Sequence, residues 1–319
     1  MDNFRWAYVG SGNIAKSTAR NITKGNHTVT AVYSRNYEKA KEFASKYKAE
    51  VFKSFDALLE NGEFDAVYIA TPHTSHLEYS LKAMQAGKPV LCEKPVGVRT
   101  DEVDLMIKAS NENNVYFCEA MWTWFSDVAL NVKKWIDKKK IGEIKSVHID
   151  YAFPGLMMSK DSRVLTPETA GGALLDVGIY PITYCYNLFG YPEKIKCDGT
   201  IKDGIDIAET VVLSYSGFDC TLEMSLSKLK EGCKIIGTDG EINIPMFHMA
   251  RTAVLKKADG KKEKIKGKTD YLTEFTRVSE EIKSGHRESS FVPHKATGDC
   301  MKIMDECRRQ MNLVYPFEV

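Results

Sequence analysis

Neither sign of charge dominates this chain: 44 Lys and Arg stand against 43 Asp and Glu, a formal net charge of +1 over 319 residues. Binding to a polyphosphate backbone is driven by a cationic excess that releases counterions, so no nucleic-acid partner is expected. Long apolar runs are missing too. None approaches the roughly 18 residues that a membrane-crossing helix requires, and the N-terminus enters a strand-like stretch without the charged and apolar segments of a secretory leader. The expectation is a cytoplasmic protein with no membrane partner. Eight cysteines, at positions 92, 118, 185, 197, 220, 233, 300 and 307, form no CxxC pair and no Cys-His cluster of zinc spacing. They read as reduced core residues, and no metal site is expected. Internal repeats and low-complexity tracts are absent, and the lysine-rich Lys256–Lys268 reads as a solvated hairpin around Asp259-Gly260.

What is present divides in two. A single core usually stops growing below about 250–300 residues, so this length predicts two units. In the first third, short apolar runs (Arg5–Val9, Val29–Tyr33, Ala66–Ile69, Pro89–Leu91, Val115–Cys118) alternate with helix-like stretches (Asn13–Asn21, Tyr37–Tyr47, Phe55–Glu60, Ser75–Ala86, Thr100–Asn111). That rhythm predicts a parallel sheet covered on both faces, a doubly wound α/β domain over residues 1–121. Thr100 is the expected N-cap of the last of these helices, with Asp101 and Glu102 in its first turn, and Gly87 ends the helix before it. Over residues 122–319 the pattern becomes one helix (Ser126–Lys138), a run of strands from Ser146 to Lys257, and two closing helices, Tyr271–Ser284 and His294–Met311. Consecutive strands joined by turns predict an α+β domain on a mostly antiparallel sheet.

Gly10-Ser11-Gly12-Asn13-Ile14-Ala15 follows the first strand and opens the first helix, the context that makes a glycine pattern a dinucleotide signal. Gly10 permits the turn, Gly12 lets the backbone approach a pyrophosphate, and Ala15 allows close helix packing, while the helix N–H groups face the phosphates. At the end of the second strand, where an acidic residue would accept from a ribose 2′-hydroxyl, stands Ser34-Arg35. An arginine pairs with a 2′-phosphate instead, so NADP(H) is the expected cofactor, with NAD(H) the lesser alternative.

Three further stretches carry reactive side chains. Glu93-Lys94 ends the apolar run Val90–Cys92. Asp176 and Tyr180, after Gly171-Gly172, are four apart and would share one face of an α-helix. A phenol titrates near pH 10, and an ammonium such as that of Lys94 would favour its phenolate, which suits reversible removal of a hydroxyl proton beside a nicotinamide. Taken singly, Tyr180 reads as a core tyrosine and Asp176 as an ordinary hydrogen-bonded carboxylate. Thr71-Pro72-His73-Thr74-Ser75-His76 reads equally as a helix start capped by Ser75 and as a contact to the nicotinamide side of the cofactor. Trp122 and Trp124 read as core rings or as a pocket wall for a ring-shaped substrate.

The fingerprint, the Thr71-Pro72…His76 segment, Glu93-Lys94-Pro95 and Gly171–Tyr180 together resemble the Gfo/Idh/MocA oxidoreductase family over nearly the whole chain. Glu119-Ala120-Met121-Trp122-Thr123 and the tyrosine at 180 resemble its branch of dimeric dihydrodiol, NADP-dependent D-xylose and glucose-fructose enzymes. The resemblance implies a Rossmann domain followed by a substrate-binding domain whose open sheet often pairs copies into a homodimer or higher homo-oligomer. It also implies an enzyme in which Lys94 and Tyr180 line the site, Asp176 supports the substrate, Glu93 packs near the nicotinamide and Arg163 faces the pocket. The expected reaction is hydride transfer between NADP(H) and a secondary or hemiacetal hydroxyl of a sugar or cyclic trans-diol. An NAD-linked polyol or inositol dehydrogenase and a cofactor-loaded regulator without turnover are the alternatives. Where that branch often carries an arginine, this chain has Trp124, which predicts an aromatic wall in place of a guanidinium.

Overall fold

A computed structural model describes residues 3–159 and 162–318. Its first sheet contains β1 (Phe4–Val9), β2 (His27–Tyr33), β3 (Glu50–Phe52), β4 (Ala66–Ile69), β5 (Val90–Glu93) and β6 (Phe117–Ala120). All pair in parallel in the order β3-β2-β1-β4-β5-β6. The crossovers are α1 (Asn13–Ile22), α2 (Tyr37–Ser45), α3 (Phe55–Asn61), α4 (His76–Gln85) and α5 (Thr100–Asn113). β4, β5 and β6 are buried at every residue, as strands covered on both faces must be. The short β3, in which only Phe52 is buried, gave no apolar pattern to read.

Two helix starts differ from expectation. Thr100 is the first residue of α5 and Arg99 holds the N-cap position, while Glu102 reaches back to accept from Val98 N–H at 2.8 Å. Ser75 does hold the N-cap position of α4, but its hydroxyl bonds to Thr71 Oγ1 and to the Pro72 carbonyl, each at 2.9 Å, and to no N–H of the helix. Gly87 follows α4 at φ +71°, the left-handed geometry of a helix stop.

The chain divides into two compact units, Met1–Trp122 with Asp270–Thr297, and Thr123–Thr269 with Gly298–Val319. A cut between residues 121 and 122 leaves 270–297 with the second unit, whereas packing puts that segment in the first. α8 (Tyr271–Lys283) sets Phe275 against Trp6 and Tyr68, with ring centroids 4.7 and 5.0 Å away, and Asn21 accepts from Leu272 N–H at 2.7 Å. These are long-range pairings with no local signature in the sequence.

The second unit opens with α6 (Asp127–Asp137), capped by Ser126, which accepts from Ala129 N–H at 3.1 Å. Its sheet contains β7 (Ile144–Ala152), β8 (Lys194–Lys202), β9 (Ile205–Tyr215), β10 (Phe218–Ser225), β11 (Lys230–Gly237), β12 (Gly240–Ile244), β13 (Thr252–Lys257) and β14 (Lys262–Lys266). The order is β14-β13-β12-β11-β7-β10-β9-β8, antiparallel except between β7 and β10. β13 and β14 are the hairpin expected around Asp259-Gly260. α7 (Ile179–Phe189) lies between β7 and β8 in sequence, and α9 (His294–Met311) starts in the first unit and continues in the second. Val147, Ile149, Cys220, Leu222, Cys233 and Ile235 alternate onto one buried face, while His148, Glu223 and Lys234 alternate onto an exposed one. The eight cysteines are free thiols, seven of them buried and Cys197 half-buried.

Candidate active site

β1 runs straight into the glycine turn. Gly10 stands at φ +106°, and a Cβ on it would lie 2.6 Å from the Ala70 carbonyl oxygen, so only glycine permits this approach of β1 to the end of β4. Its N–H donates to the Tyr33 carbonyl at 2.8 Å, tying the turn to the end of β2. Gly12 is the N-cap of α1 with no side-chain cap, and nothing lies within 4 Å of where its Cβ would be. The helix N-terminus thus opens onto a groove of about 470 Å³, and Ala15, fully buried, seats α1 on the sheet. Of the residues named from the sequence as cofactor-binding, Gly10, Gly12, Asn13, Ser34, Arg35, Thr71 and Pro72 line the groove and Ile14 does not. Lys16 and Lys39 also line it, two ammonium groups that the sequence reading did not single out. Open backbone N–H groups, an unfilled cradle at Gly12 and three cations fit the phosphates of a dinucleotide.

His73 and His76 lie outside the groove lining and are buried. His76 spans two main-chain carbonyls, Nδ1 at 2.9 Å from Pro95 O and Nε2 at 2.8 Å from Thr71 O. It therefore straps the end of β4 to the turn after β5, and both bonds form only when both ring nitrogens carry protons. His73 meets its edge at 6.5 Å.

At the end of β5, buried Glu93 accepts from the Tyr68 phenol, and half-buried Lys94 follows, its N–H 3.3 Å from Glu93 Oε2. A carboxyl the sequence reading left unassigned, Glu119 at β6, accepts from Val96 N–H at 3.0 Å. Burial pushes it up to about 7, against the opposing pull of the Val96 N–H, Thr297 and Lys94. Behind them Glu274 of α8 is fully buried with neither carboxyl oxygen hydrogen-bonded; burial, reinforced by the charge of Glu93, raises it well above the usual carboxylate range. Trp122 is 6% exposed and packs on Tyr271 at 4.9 Å.

In the second unit the glycine pair explains how Arg163 reaches Asp176. Gly172 N–H donates to Val164 O at 2.9 Å and Gly171 N–H to Thr166 O at 3.0 Å, folding 163–170 back on itself. Gly172 stands at φ +131°, with the Asp206 Oδ1 atom 2.0 Å from where a Cβ would be. Asp206, on β9, in turn accepts from Leu174 N–H at 2.5 Å. So held, Arg163 Nη2 donates to Asp176 Oδ1 at 2.7 Å, a charge-assisted bond in which Asp176 is 13% and Arg163 44% exposed. The expected single α-helix through Asp176 and Tyr180 is corrected: Leu174–Gly178 is a π-helical turn, and α7 begins at Ile179. Pro181 has no N–H for the Val177 carbonyl and its ring crowds that position, which interrupts regular α-geometry where Asp176 sits.

Tyr180 is 8% exposed and lies among Tyr151, at 5.4 Å, and His248, also at 5.4 Å between ring centroids. His248 is bound through Nδ1 to Glu231 Oε1 at 2.7 Å. The sequence reading missed both; the signal was an acidic residue at 231 sharing strand parity with Cys233 and Ile235. Trp124 is buried, its ring nearly parallel to that of Tyr186 with centroids 6.4 Å apart and its indole N–H unsatisfied, which fits the core alternative of the two given for it. Among the described residues, His148, Asp150 and Glu223 bring ligand atoms within metal-binding reach of one another. A protein cation already occupies that cluster, Lys230 Nζ standing 2.6 Å from Asp150 and 3.2 Å from Glu223.

A doubly wound domain with an open phosphate cradle, joined to an antiparallel-sheet unit with a tyrosine and a paired carboxylate, defines a class of nicotinamide-dependent oxidoreductases. The chain belongs to the Gfo/Idh/MocA family: the model for an oxidoreductase family with an NAD-binding Rossmann fold matches residues 4–120, and that for the Gfo/Idh/MocA C-terminal domain matches 129–243. It is similar to the trans-1,2-dihydrobenzene-1,2-diol dehydrogenase of Danio rerio, 32% identical over 98% of both chains. It is also similar to an NADP⁺-linked scyllo-inositol 2-dehydrogenase of Bacillus subtilis, 35% identical over 90% of both. In fold it is similar to the aldose-aldose oxidoreductase of Caulobacter crescentus, with a TM-score of 0.88 at 19% identity, covering 97% of this chain and 98% of that one. The chain is an NAD(P)-dependent oxidoreductase of this family. No helix among the described residues is long and apolar enough to cross a membrane.

Proposed function

We propose that this enzyme uses NADP(H) to interconvert a secondary or hemiacetal hydroxyl of a sugar or cyclic trans-diol with the corresponding carbonyl. The observation that carries the cofactor assignment is Ser34-Arg35 in the groove at the end of β2, with Lys39 beside them in the same lining. Arg35 and Lys39 offer a 2′-phosphate two cations, and the residues directly after β2 are Ser34-Arg35 where a ribose 2′-hydroxyl would need a carboxylate, the nearest acidic group of the lining being Glu42 on α2. Both curated relatives are named for substrates with hydroxyls on a carbon ring, which supports the substrate class.

In this reading the nicotinamide supplies the hydride acceptor or donor when bound. Asp176, pinned by Arg163, accepts from a substrate hydroxyl and fixes which carbon is presented. Lys94 and Tyr180 hold and move the proton of the reacting hydroxyl, so that the oxygen loses H⁺ as the carbon loses hydride. We further assign the first unit, Met1–Trp122 with Asp270–Thr297, the cofactor, and the second unit the substrate and a self-pairing surface, the exposed face of the second sheet, testable as a dimer by sedimentation. Following nicotinamide absorbance with NADP⁺ and with NAD⁺ against D-xylose, D-glucose and trans-cyclohexane-1,2-diol tests the reading. Turnover that prefers NADP⁺ is expected; equal rates with both cofactors would remove the 2′-phosphate assignment.

A further inference from the structure

Along β11 the side chains of Glu231, Cys233 and Ile235 share one parity, and the latter two are buried in the apolar core of the second unit. A carboxylate on that face is costly without partners. Glu231 is only 7% exposed, and its Oε1 accepts twice from one residue, from the His248 main-chain N–H at 2.9 Å and from Nδ1 of the same imidazole at 2.7 Å. Two bonds to one oxygen fix both the backbone and the ring of His248, which lies on the short turn Phe247–Met249 between β12 and β13. With Nδ1 directed at a carboxylate, the tautomer and the orientation of the ring are set by that bond.

This ring stands against the proposed proton-handling phenol. Tyr151 is the cross-strand partner of Glu231 in the β7–β11 ladder, and its ring lies 4.5 Å from His248 at 36°. Tyr180 closes the cluster, 5.4 Å from His248 and 5.4 Å from Tyr151, edge-on to the latter at 85°. Three residues widely spaced in sequence, Tyr151, Glu231 and His248, thus gather beside the Tyr180 phenol. An apolar pair would avoid desolvating a carboxylate there, so packing alone does not account for a hydrogen-bonded carboxylate and imidazole.

We infer that Glu231 and His248 form a dyad that positions Tyr180 for proton transfer: Glu231 locks the imidazole, and the locked ring, packed on Tyr151 and Tyr180, fixes the orientation of the Tyr180 phenol. The inference rests on the role proposed for Tyr180. His248 is a positioning residue, since it acts through the phenol.

The test compares His248→Phe, which keeps a ring of similar size, and Glu231→Gln, which keeps an acceptor for the His248 N–H but removes the charge. Each is made alone and with Tyr180→Phe. The readouts are kcat and KM with NADP⁺ and whichever of D-xylose, D-glucose and trans-cyclohexane-1,2-diol turns over fastest, and the NADPH dissociation constant by fluorescence. His248→Phe should lower kcat by about 10- to 100-fold with KM and NADPH affinity within about threefold, and Glu231→Gln should lower kcat by about threefold to tenfold. In the Tyr180→Phe background both effects should vanish, because the group they act through is gone. Unchanged kcat in both single variants, or losses that multiply undiminished in that background, would overturn the dyad while leaving the role of Tyr180 intact. Unchanged kcat in Tyr180→Phe itself, or no turnover of any of the three substrates, would overturn the underlying reading and the inference with it.

Discussion

The two units solve the same problem, placing a few polar groups against a ligand, by different means. In the first, the groove is made of neighbours in sequence: residues 10–16 form the turn and helix start, residues 33–39 follow β2, and residues 70–72 follow β4. Backbone N–H groups and strand ends supply the contacts, so the parallel sheet itself sets the geometry. In the second, the side chains proposed to serve the substrate, Tyr151, Arg163, Asp176, Tyr180, Glu231 and His248, come from two strands, a short turn, a folded-back loop, a π turn and the start of α7. A dinucleotide cradle can therefore be written in a few short stretches at the ends of neighbouring parallel strands, whereas a substrate site of the proposed kind exists only once register and loop folding are fixed.

The difference is open to experiment, beginning with the proton-handling role proposed for Lys94. Lys94→Met should lower kcat on the order of 10³-fold with NADPH affinity nearly intact, measured by steady-state rates and fluorescence titration. A matched pair of glycine variants sharpens the contrast. Gly10→Ala puts a Cβ at φ +106°, 2.6 Å from the Ala70 carbonyl, and should weaken NADPH binding by about 100-fold. Gly172→Ala forces the chain off Asp206 and loosens the Arg163–Asp176 pair; it should raise the substrate KM by about tenfold or more while NADPH affinity holds. Arg35→Glu should shift the NADPH-to-NADH affinity ratio toward NADH by about 10- to 100-fold, with kcat little changed.

A separate effect concerns stability. Glu119 titrates at about 7 in the folded protein, pushed up chiefly by burial, against 4.5 for a free glutamate side chain. Between those values the folded state holds a proton that the unfolded chain has released, so this contribution is fully present below about pH 4.5 and is lost as pH rises through about 7. The loss amounts to roughly 3 kcal/mol. Glu119→Gln should flatten that part of the pH dependence, measured by chemical denaturation at about pH 5 and pH 8; an unchanged difference between the two would contradict the assignment.

The same contrast explains what could be read from the sequence. The strand-helix alternation and the glycine fingerprint are local and periodic, so the parallel sheet and most of the groove were legible, Ser34 and Arg35 included. Lys16 and Lys39 went unnoticed because a helix-face lysine has no distinguishing context in sequence. Asp176 and Tyr180 were visible as residues, but the α-helical spacing assumed for them ignored Pro181 and the π turn before it. His248 and Glu231 were out of reach for a different reason: they lie on separate elements, and only strand parity at 231 hinted at an inward carboxylate. The placement of α8 with the first sheet was hidden likewise, since nothing in Tyr271–Lys283 names Trp6 and Tyr68 as its neighbours.

The most direct test of the account is nicotinamide absorbance with NADP⁺ against D-xylose, D-glucose and trans-cyclohexane-1,2-diol, run in parallel on the unaltered enzyme and on Tyr180→Phe. The account predicts NADP⁺ reduction with at least one substrate, faster than with NAD⁺, and a collapse of kcat in the variant with NADPH binding unchanged. No reduction of either cofactor while NADPH still binds tightly, or full activity without the Tyr180 hydroxyl, would contradict it.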